Sequence, residues 1–403
     1  MIPWKSAFPN PSVCHAYFIV LVLSLCLTAC GGGSGSNGNG GGGNGSGGSG
    51  NVSPASGQYL WEVGSQFNLS YATINTTTGA LSVPTVAGSP AFNPDNYTSI
   101  VVAPSNNFLY AFYESFSELE TFQMSGPGLQ LTLLSGSDYL KNLPYEESMN
   151  LHPSGKFLYV IQSGVGGTIQ EISINANSGA LTLGTPVTVN ADIRTGIFDP
   201  AGNFLYVNDL SGGRIFIYDV DQTDGSLTPA ASSPFTLPSS EQPTYIAIGG
   251  SGTTLFLYAD LYSSLHSGNG IAAFSINSST GALTVVPGSP FQSTSNAPDY
   301  ICVDPSGKFL YGTDSLNGLI DGFVINPTTG VLNSVPGSPF STATTSDTIA
   351  IDPTGKFLYV TNYANSTIYG FSLDSVTGTI SPLTGSPFPS VSQPNSLTMM
   401  NIP

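Results

Sequence analysis

The sequence contains few charged residues, and few of those are basic. Only 8% of its 403 residues are charged, and 7 Lys and Arg stand against 24 Asp and Glu, which gives a formal net charge of −17. Nucleic acids and anionic bilayers are bound mainly through clustered Lys and Arg side chains. The composition therefore argues against nucleic acid as a partner and against direct electrostatic binding to a membrane surface.

Long apolar runs are also scarce, and the one that stands out lies at the amino terminus. Residues 16–27 form an apolar stretch that is too short to span a bilayer as a helix. It ends in Leu27-Thr28-Ala29-Cys30 followed by glycine, which resembles a bacterial lipoprotein signal that is cleaved before Cys30 and lipidated on it. An ordinary secretory signal that contains a cysteine is the alternative. We expect an exported protein that is lipid-anchored to the bacterial cell envelope, at the outer membrane or periplasmic face, through Cys30 alone.

Cysteine is rare, with four in the chain. Cys14 and Cys26 fall in the predicted signal, and Cys30 is the predicted lipidation site. Cys302 is then the one cysteine left, so no intramolecular disulfide is available. Its apolar neighbours predict a small core residue and not a nucleophile.

A tract of low complexity separates the signal from the folded part. Residues 31–56 consist almost entirely of Gly, Ser and Asn, and such a segment cannot bury apolar surface. We therefore expect a signal peptide at 1–29, a lipidated cysteine with a disordered tether at 30–56, and one folded domain at 57–403.

The folded part repeats one phrase, a turn followed by Phe-Leu-Tyr and usually Val. Copies start at Pro104, Pro153, Pro200, Pro305 and Pro353. Each repeat contains four strand-like runs punctuated by Gly, Pro and Asp. Short strands at a period of about 50 residues are typical of a β-propeller with one four-stranded blade per repeat.

Two counts agree on seven blades rather than six or eight. The Phe-Leu-Tyr strand and the Thr-Gly-Ala-Leu turn each occur seven times when degenerate copies are included. The chain ends with Pro394-Asn395-Ser396-Leu397, which has the pattern of a lone first strand, and its folded part begins with a second strand at Gln58. The sequence thus predicts an all-β, seven-bladed β-propeller of antiparallel blades, with the C-terminal strand completing the N-terminal blade and removing an exposed sheet edge.

The phrase Tyr359-Val360-Thr361-Asn362 is similar to the YVTN repeat, and residues 57–403 resemble the lactonase-family, 6-phosphogluconolactonase-like propellers. The Pro-Gly-Ser-Pro-Phe phrase at 287–291 and 336–340 resembles the exported lipoprotein members of that group. The resemblance implies a lactone-converting enzyme with His, Arg and Glu side chains around its central channel. Where such enzymes carry His or Arg at the starts of the innermost strands, this chain keeps one basic residue, Arg194.

Strand direction divides the loops between two faces of the ring. The Asp-Pro-Ser-Gly and Thr-Gly-Ala-Leu turns belong to one face, which is regular. The other connections belong to the opposite, variable face, where binding is usual. The candidates come from this variable face: Glu147, Asp192 and Arg194 for catalysis, and Glu146, Thr244, Asp299, Asp347 and His266 for ligand binding.

Three interpretations are open for this face. Clustered carboxylates suit a divalent cation, although no spaced metal motif is present and no other cofactor is expected. Glu147 or Asp192 beside Arg194 suits lactone hydrolysis, with the acid as general base and the guanidinium stabilising an oxyanion. The favoured interpretation is a binding module for a small molecule, glycan or envelope protein, with aromatics such as Tyr262 as stacking surfaces. The chain is expected to be a monomer.

Overall fold

The computed structural model describes residues 57–64, 69–86, 97–103, 107–113, 118–126, 129–134, 148–163, 166–238, 242–262, 270–293, 300–314, 317–342, 348–391 and 393–402. The predicted signal and tether, with Cys30, lie outside these residues. Within the described ranges, no helix is long and apolar enough to cross a membrane.

The described residues form seven antiparallel sheets, the blades of a propeller. Blade 7 begins with β1 (Gly57–Gly64), β2 (Leu69–Ile74) and β3 (Thr85–Val86). Blade 1 contains β4 (Tyr97–Ala103), β5 (Phe108–Tyr113), β6 (Glu118–Ser125) and β7 (Gln130–Leu133). Blade 2 contains β8 (Ser148–Leu151), β9 (Phe157–Gln162), β10 (Thr168–Ile174), β11 (Leu181–Leu183) and β12 (Val187–Thr188). Blade 3 contains β13 (Ile193–Phe198), β14 (Phe204–Asp209), β15 (Arg214–Val220), β16 (Leu227–Pro229) and β17 (Phe235–Thr236). Blade 4 contains β18 (Gln242–Ser251), β19 (Thr254–Tyr262), β20 (Gly270–Ile276), β21 (Leu283–Val285) and β22 (Phe291–Gln292). Blade 5 contains β23 (Tyr300–Val303), β24 (Phe309–Asp314), β25 (Leu319–Ile325), β26 (Leu332–Ser334) and β27 (Phe340–Ser341). Blade 6 contains β28 (Ile349–Ile351), β29 (Phe357–Asn362), β30 (Thr367–Leu373), β31 (Ile380–Pro382) and β32 (Phe388–Pro389). The last strand, β33 (Pro394–Ile402), belongs to blade 7.

The apolar residues form cores between neighbouring blades. Every residue of β29 is buried, since the second strand of a blade has another blade against each of its faces. One core cluster joins Cys302 and Tyr311 of blade 5 to Leu358 and Val360 of blade 6. The prediction that Cys302 is a core residue is confirmed, because it is 1% exposed and burial raises the pKa of its thiol.

The outermost strand of blades 2 to 6 is divided into two short pieces. In blade 6, β31 pairs with one end of β30 and β32 pairs with the other. Between these pieces, the Ser386 hydroxyl accepts a hydrogen bond of 3.0 Å from the Gly370 amide. Ser233, Ser289 and Ser338 accept equivalent bonds of 2.9 Å in blades 3, 4 and 5. The repeated Ser-Pro phrases therefore complete the outer edges of these blades, a role that the sequence did not reveal.

The C-terminal strand closes the ring, as predicted. β33 pairs antiparallel with β1, with Leu60 opposite Met399 and Trp61 opposite Thr398. The predicted all-β fold of seven four-stranded blades is confirmed, and β33 supplies the innermost strand of blade 7. Because the first and last described strands share one sheet, the ring is held shut by backbone hydrogen bonds.

The recurring turn after an innermost strand is held by one side chain. In blade 6, Oδ1 of Asp352 accepts hydrogen bonds from the amides of Lys356 (2.7 Å) and Phe357 (2.6 Å). His152 takes this position in blade 2, and its Nε2 donates to the carbonyl of Gly202 in blade 3 at 2.9 Å. Burial lowers the pKa of His152. The imidazole of His152 is therefore a structural part of the contact between blades 2 and 3.

The repeated Tyr and Gly residues also join adjacent blades. The Tyr206 hydroxyl donates to the carbonyl of Gly281 in the next blade at 3.0 Å. Gly281 has a φ of +68°, and a Cβ there would lie 2.6 Å from the Phe204 ring. Equivalent bonds run from Tyr159 to Gly225, Tyr258 to Gly330, Tyr311 to Gly378 and Tyr359 to Gly79. The Phe-Leu-Tyr and Thr-Gly phrases thus specify the contacts between adjacent blades.

One buried carboxylate, that of Glu62, lies where the ring closes. Glu62 is on β1, has no exposed surface, and accepts hydrogen bonds from the hydroxyls of Ser70 (3.1 Å) and Ser390. Burial raises the pKa of Glu62 above its ordinary value of 4.5. A carboxyl group with a raised pKa contributes stability that is present below its unfolded-state pKa and is lost as the pH rises through its folded-state pKa.

We expect Glu62→Gln to remove this pH dependence, since the amide stays neutral. The melting temperature of the wild type should fall relative to that of the variant as the pH rises from about 4 to about 8. Thermal unfolding followed by circular dichroism measures both. Asp219→Asn, which changes an exposed carboxylate of blade 3, is the control and should keep the wild-type pH profile. Parallel curves for the wild type and Glu62→Gln would contradict this account of Glu62.

Candidate active site

A pocket of about 450 Å³ opens on the variable face, beside blade 3. Two segments of blade 3 form most of it: the residues just before β13 and the loop between β14 and β15. Its lining residues are Gly166, Asn190, Ala191, Asp192, Asp209, Ser211, Gly212 and Arg214. The pocket therefore lies where a variable loop meets the start of an innermost strand.

Asp192 is placed in the pocket by a contact between these two segments. Its backbone carbonyl accepts a hydrogen bond of 2.9 Å from the amide of Leu210. Oδ2 of its carboxylate accepts a hydrogen bond of 2.6 Å from the hydroxyl of Ser211. The Asp192 side chain is 24% exposed, so its carboxylate is oriented by the protein and is still accessible to water.

Arg194, two residues further along the chain, pairs with the same carboxylate. Its Nε lies 3.2 Å from Oδ1 of Asp192, and its side chain is 18% exposed. Ile193 and Thr195 on either side are buried. The ion pair therefore keeps the guanidinium of Arg194 beside Asp192, although Arg194 itself is not one of the lining residues of the pocket.

A second ion pair lines the pocket. Oδ2 of Asp209 accepts hydrogen bonds from Nε (2.8 Å) and Nη2 (2.6 Å) of Arg214. The guanidinium carbon lies 5.3 Å from the ring centroid of Phe216. The Asp209 side chain is 1% exposed and that of Arg214 is 35% exposed. The acid is thus fixed inside the protein, while part of the guanidinium faces solvent.

Gly212 is required by the close packing of this loop. Its amide donates to Oδ1 of Asp209 at 3.1 Å. A Cβ at this position would lie 2.1 Å from Oδ2 of Asp209 and 2.7 Å from Nε of Arg214. Any larger residue would therefore displace the second ion pair.

The structure brings together two of the residues predicted from the sequence, Asp192 and Arg194. Thr244 lies in blade 4 outside the pocket lining, and its hydroxyl donates to Oδ2 of Asp260 at 2.6 Å. The remaining candidates lie outside the described residues, and their roles stay predictions: Glu146, Glu147, Asp299, Asp347 and His266.

Sequence reasoning did not assign Asp209, Ser211 or Arg214 to the site, although one signal could have found Arg214. Arg194 and Arg214 are the two arginines of the whole chain, and both fall within a single repeat. The first and third strands of an antiparallel blade start at the same face. Two arginines at the starts of those strands must therefore lie at one face of the ring.

A divalent cation, one of the three interpretations of the variable face, would depend largely on acids outside the described residues, so it stays a hypothesis. Among the residues that are described, no group of three or more His, Cys, Asp or Glu is placed to hold a metal ion. The two pocket carboxylates are each paired with an arginine.

The sequence matches a known family over most of its length. The profile of the family described as "Lactonase, 7-bladed beta-propeller" matches residues 91–241 and 190–395. The chain belongs to this lactonase family. The two matched ranges of this lactonase-family chain overlap at 190–241, which contains all of the pocket residues that blade 3 supplies. No curated protein sequence matches the chain.

Solved structures similar to this lactonase-family chain share its fold. A periplasmic gluconolactonase from Pseudomonas aeruginosa gives a TM-score of 0.68 at 18% identity, covering 86% of this chain and 100% of its own. A Bacteroides fragilis protein, provisionally assigned as a 6-phosphogluconolactonase, gives 0.69 at 17% identity, covering 86% and 98%. A Lactobacillus plantarum protein gives 0.69 at 19% identity, covering 86% and 100%. At such identities the likeness establishes the propeller fold alone.

The pocket of this lactonase-family chain, together with the arginine paired to Asp192, supplies the groups that transfer of an acyl group to water requires. A positioned carboxylate can accept a proton from water. A fixed guanidinium can stabilise negative charge on a carbonyl oxygen. Asp192 lines the pocket, and Arg194 lies beside it in the ion pair without being one of the lining residues. Arg214 places a second guanidinium in the lining itself.

Proposed function

We propose that this protein hydrolyses a sugar lactone in the pocket of blade 3. The proposal rests on one observation: the carboxylate of Asp192 is held by the Ser211 hydroxyl at one oxygen and by the Arg194 guanidinium at the other. Membership of the lactonase family supports it, as does the shared fold of the Pseudomonas aeruginosa gluconolactonase.

Asp192 acts as the general base in this proposal. It removes a proton from a water molecule whose oxygen attacks the carbonyl carbon of the lactone. Arg194 stabilises the negative charge that develops on the carbonyl oxygen. The bond between the carbonyl carbon and the ring oxygen then breaks, and the proton passes from Asp192 to the ring oxygen. The product is an open-chain hydroxy acid.

Arg214 binds the substrate rather than reacting with it. Its exposed part can donate to the hydroxyl groups of the sugar and, after ring opening, to the carboxylate of the product. Its partner Asp209 is buried and fixes the guanidinium in place. The pocket volume of about 450 Å³ lies within the range of small-molecule sites, about 300–1,000 Å³, so one sugar ring fits.

We also propose that the protein is exported and anchored to the cell envelope by a lipid on Cys30. The resemblance of residues 27–30 to a lipoprotein signal supports this location. The periplasmic origin of the Pseudomonas aeruginosa gluconolactonase is consistent with it. The catalytic head would then meet its substrate outside the cytoplasm.

A binding module for a small molecule, glycan or envelope protein is the alternative. Tyr262 at the end of β19 is 40% exposed, and an exposed aromatic of this kind suits a stacking surface. A binding module needs no general base. Turnover therefore separates the two functions.

The test is lactone hydrolysis by the purified protein. Initial rates of acid release are measured with a pH indicator on five- and six-membered sugar lactones, with and without a phosphate group, and on a simple alkyl ester for comparison. We expect saturable turnover above the spontaneous rate on at least one lactone. Spontaneous rates on every lactone would overturn the proposal and favour the binding module.

A further inference from the structure

The side chain of Asn208 joins the innermost strands of two blades. Asn208 lies on β14 next to Asp209 and has no exposed surface. Its Oδ1 accepts hydrogen bonds from the amide (2.7 Å) and the hydroxyl (3.0 Å) of Thr195 in blade 3. Its Nδ2 donates to the carbonyls of Pro243 (2.6 Å) and Thr244 (2.9 Å) in blade 4. Both donors and both acceptor positions of the amide are thus used.

Both innermost strands are irregular where Asn208 contacts them. The pairing of β13 with β14 shifts register after Ile193, and the pairing of β18 with β19 shifts after Pro243. A bulge interrupts the ladder and re-aims side chains, and bulges are frequent beside active sites. In β13 the irregular residues are Arg194 and Thr195. The hydrogen bond from the Thr195 amide to Asn208 therefore fixes the backbone of the bulge, and with it the direction in which the Arg194 side chain projects from β13.

The equivalent position in other blades shows that the ring does not require an asparagine. It holds Phe112 in blade 1 and Ile161 in blade 2, both fully buried. In blade 6 it holds Thr361, whose hydroxyl accepts from the amide of Thr348 in the same blade at 2.9 Å. Blade 4 holds Asp260 there, which is 1% exposed and accepts from the Thr244 hydroxyl of the same blade. An asparagine that bonds to two blades is thus found at this position in blade 3 alone among the described residues.

We infer that Asn208 is a positioning residue of the hydrolytic site. It acts on Arg194 through Thr195, and it fixes the start of β18 against blade 3 through Pro243 and Thr244. Asn208 has no exposed surface, whereas the Arg194 side chain is 18% exposed, so Asn208 acts on its neighbours and not on the substrate. This inference rests on the proposed lactone hydrolysis and adds a residue to it.

The test is a double-mutant cycle on lactone hydrolysis by the full chain. Asn208→Ala is expected to lower kcat about ten- to hundredfold, since small displacements of a catalytic group have effects of this order. In the Arg194→Ala background the same substitution should lower kcat less than about twofold, because the group that Asn208 positions is already absent. Equal losses in the two backgrounds would overturn the inference.

Two further variants test whether a loss of kcat in Asn208→Ala comes only from a general disturbance of the fold. Asn208→Thr introduces the residue that blade 6 has at this position, so it should fold and should retain more kcat than Asn208→Ala by restoring the bond to the Thr195 amide. Thr361→Val removes the equivalent hydroxyl from blade 6 and is expected to change kcat less than about twofold. A loss of kcat from Thr361→Val as large as that from Asn208→Ala would overturn the inference. Absence of wild-type turnover would instead overturn the proposed function, and the inference with it.

Discussion

The Arg194→Ala variant is expected to hydrolyse lactones at least about a hundredfold more slowly than the wild type. Removal of one preorganised donor to a developing oxyanion costs about 10²- to 10³-fold in kcat. Nε of Arg194 lies 3.2 Å from Oδ1 of Asp192, so the guanidinium is in position before the substrate binds. The loss should fall on kcat more than on KM, because the charge that Arg194 stabilises develops in the transition state. Steady-state kinetics on the preferred lactone measures both constants.

Two variants control for charge and for general effects of the substitution. Arg194→Lys keeps the positive charge and loses the planar guanidinium, and it should recover part of the lost kcat. Lys156→Ala removes an exposed lysine from a turn on the regular face and should leave kcat unchanged. A folded Arg194→Ala variant with wild-type kcat would show that Arg194 has no part in stabilising the oxyanion.

The Asp192→Asn variant is expected to lose about 10²- to 10⁴-fold in kcat, the usual contribution of a general base. The amide has the shape of the carboxylate and can still accept a hydrogen bond from Ser211. It cannot accept a proton from the attacking water. The loss should therefore appear in kcat without unfolding of the blade, and kinetics combined with a thermal melt measures both effects.

Controls for Asp192 come from the same blade. Asp219→Asn changes an exposed carboxylate on β15 away from the pocket lining and should retain wild-type kcat. Ser211→Ala removes one of the groups that orient Asp192 and should cost less than Asp192→Asn. A loss of less than about tenfold in Asp192→Asn would mean that another group takes the proton.

The fold could be predicted from the sequence because every blade repeats the same evidence. The Phe and Tyr of one repeat contact the turn glycine of the next, as Phe204 and Tyr206 do with Gly281. The sequence therefore specifies the same contact between adjacent blades several times. The closing strand was predictable because the two ends supply complementary parts of one blade, and β33 pairs with β1 accordingly.

The site could be predicted only in part, because its geometry depends on non-repeating loops. Asp192 and Arg194 were found because the repeat fixes where an innermost strand begins. The pairing of Asp209 with Arg214 depends on a loop conformation that Gly212 permits. The role of Asn208 depends on irregular pairing in two strands. Neither of these features has a signature in residue spacing.

The most direct test of the account is a crystal structure of the protein with a sugar lactam, in which a ring N–H replaces the ring oxygen of the lactone and resists hydrolysis. The account predicts density for the lactam in the pocket beside blade 3. Its carbonyl oxygen should lie within hydrogen-bond distance of the Arg194 guanidinium, with its carbonyl carbon facing Asp192. Lactam bound on the regular face or against another blade, with this pocket empty, would contradict the account.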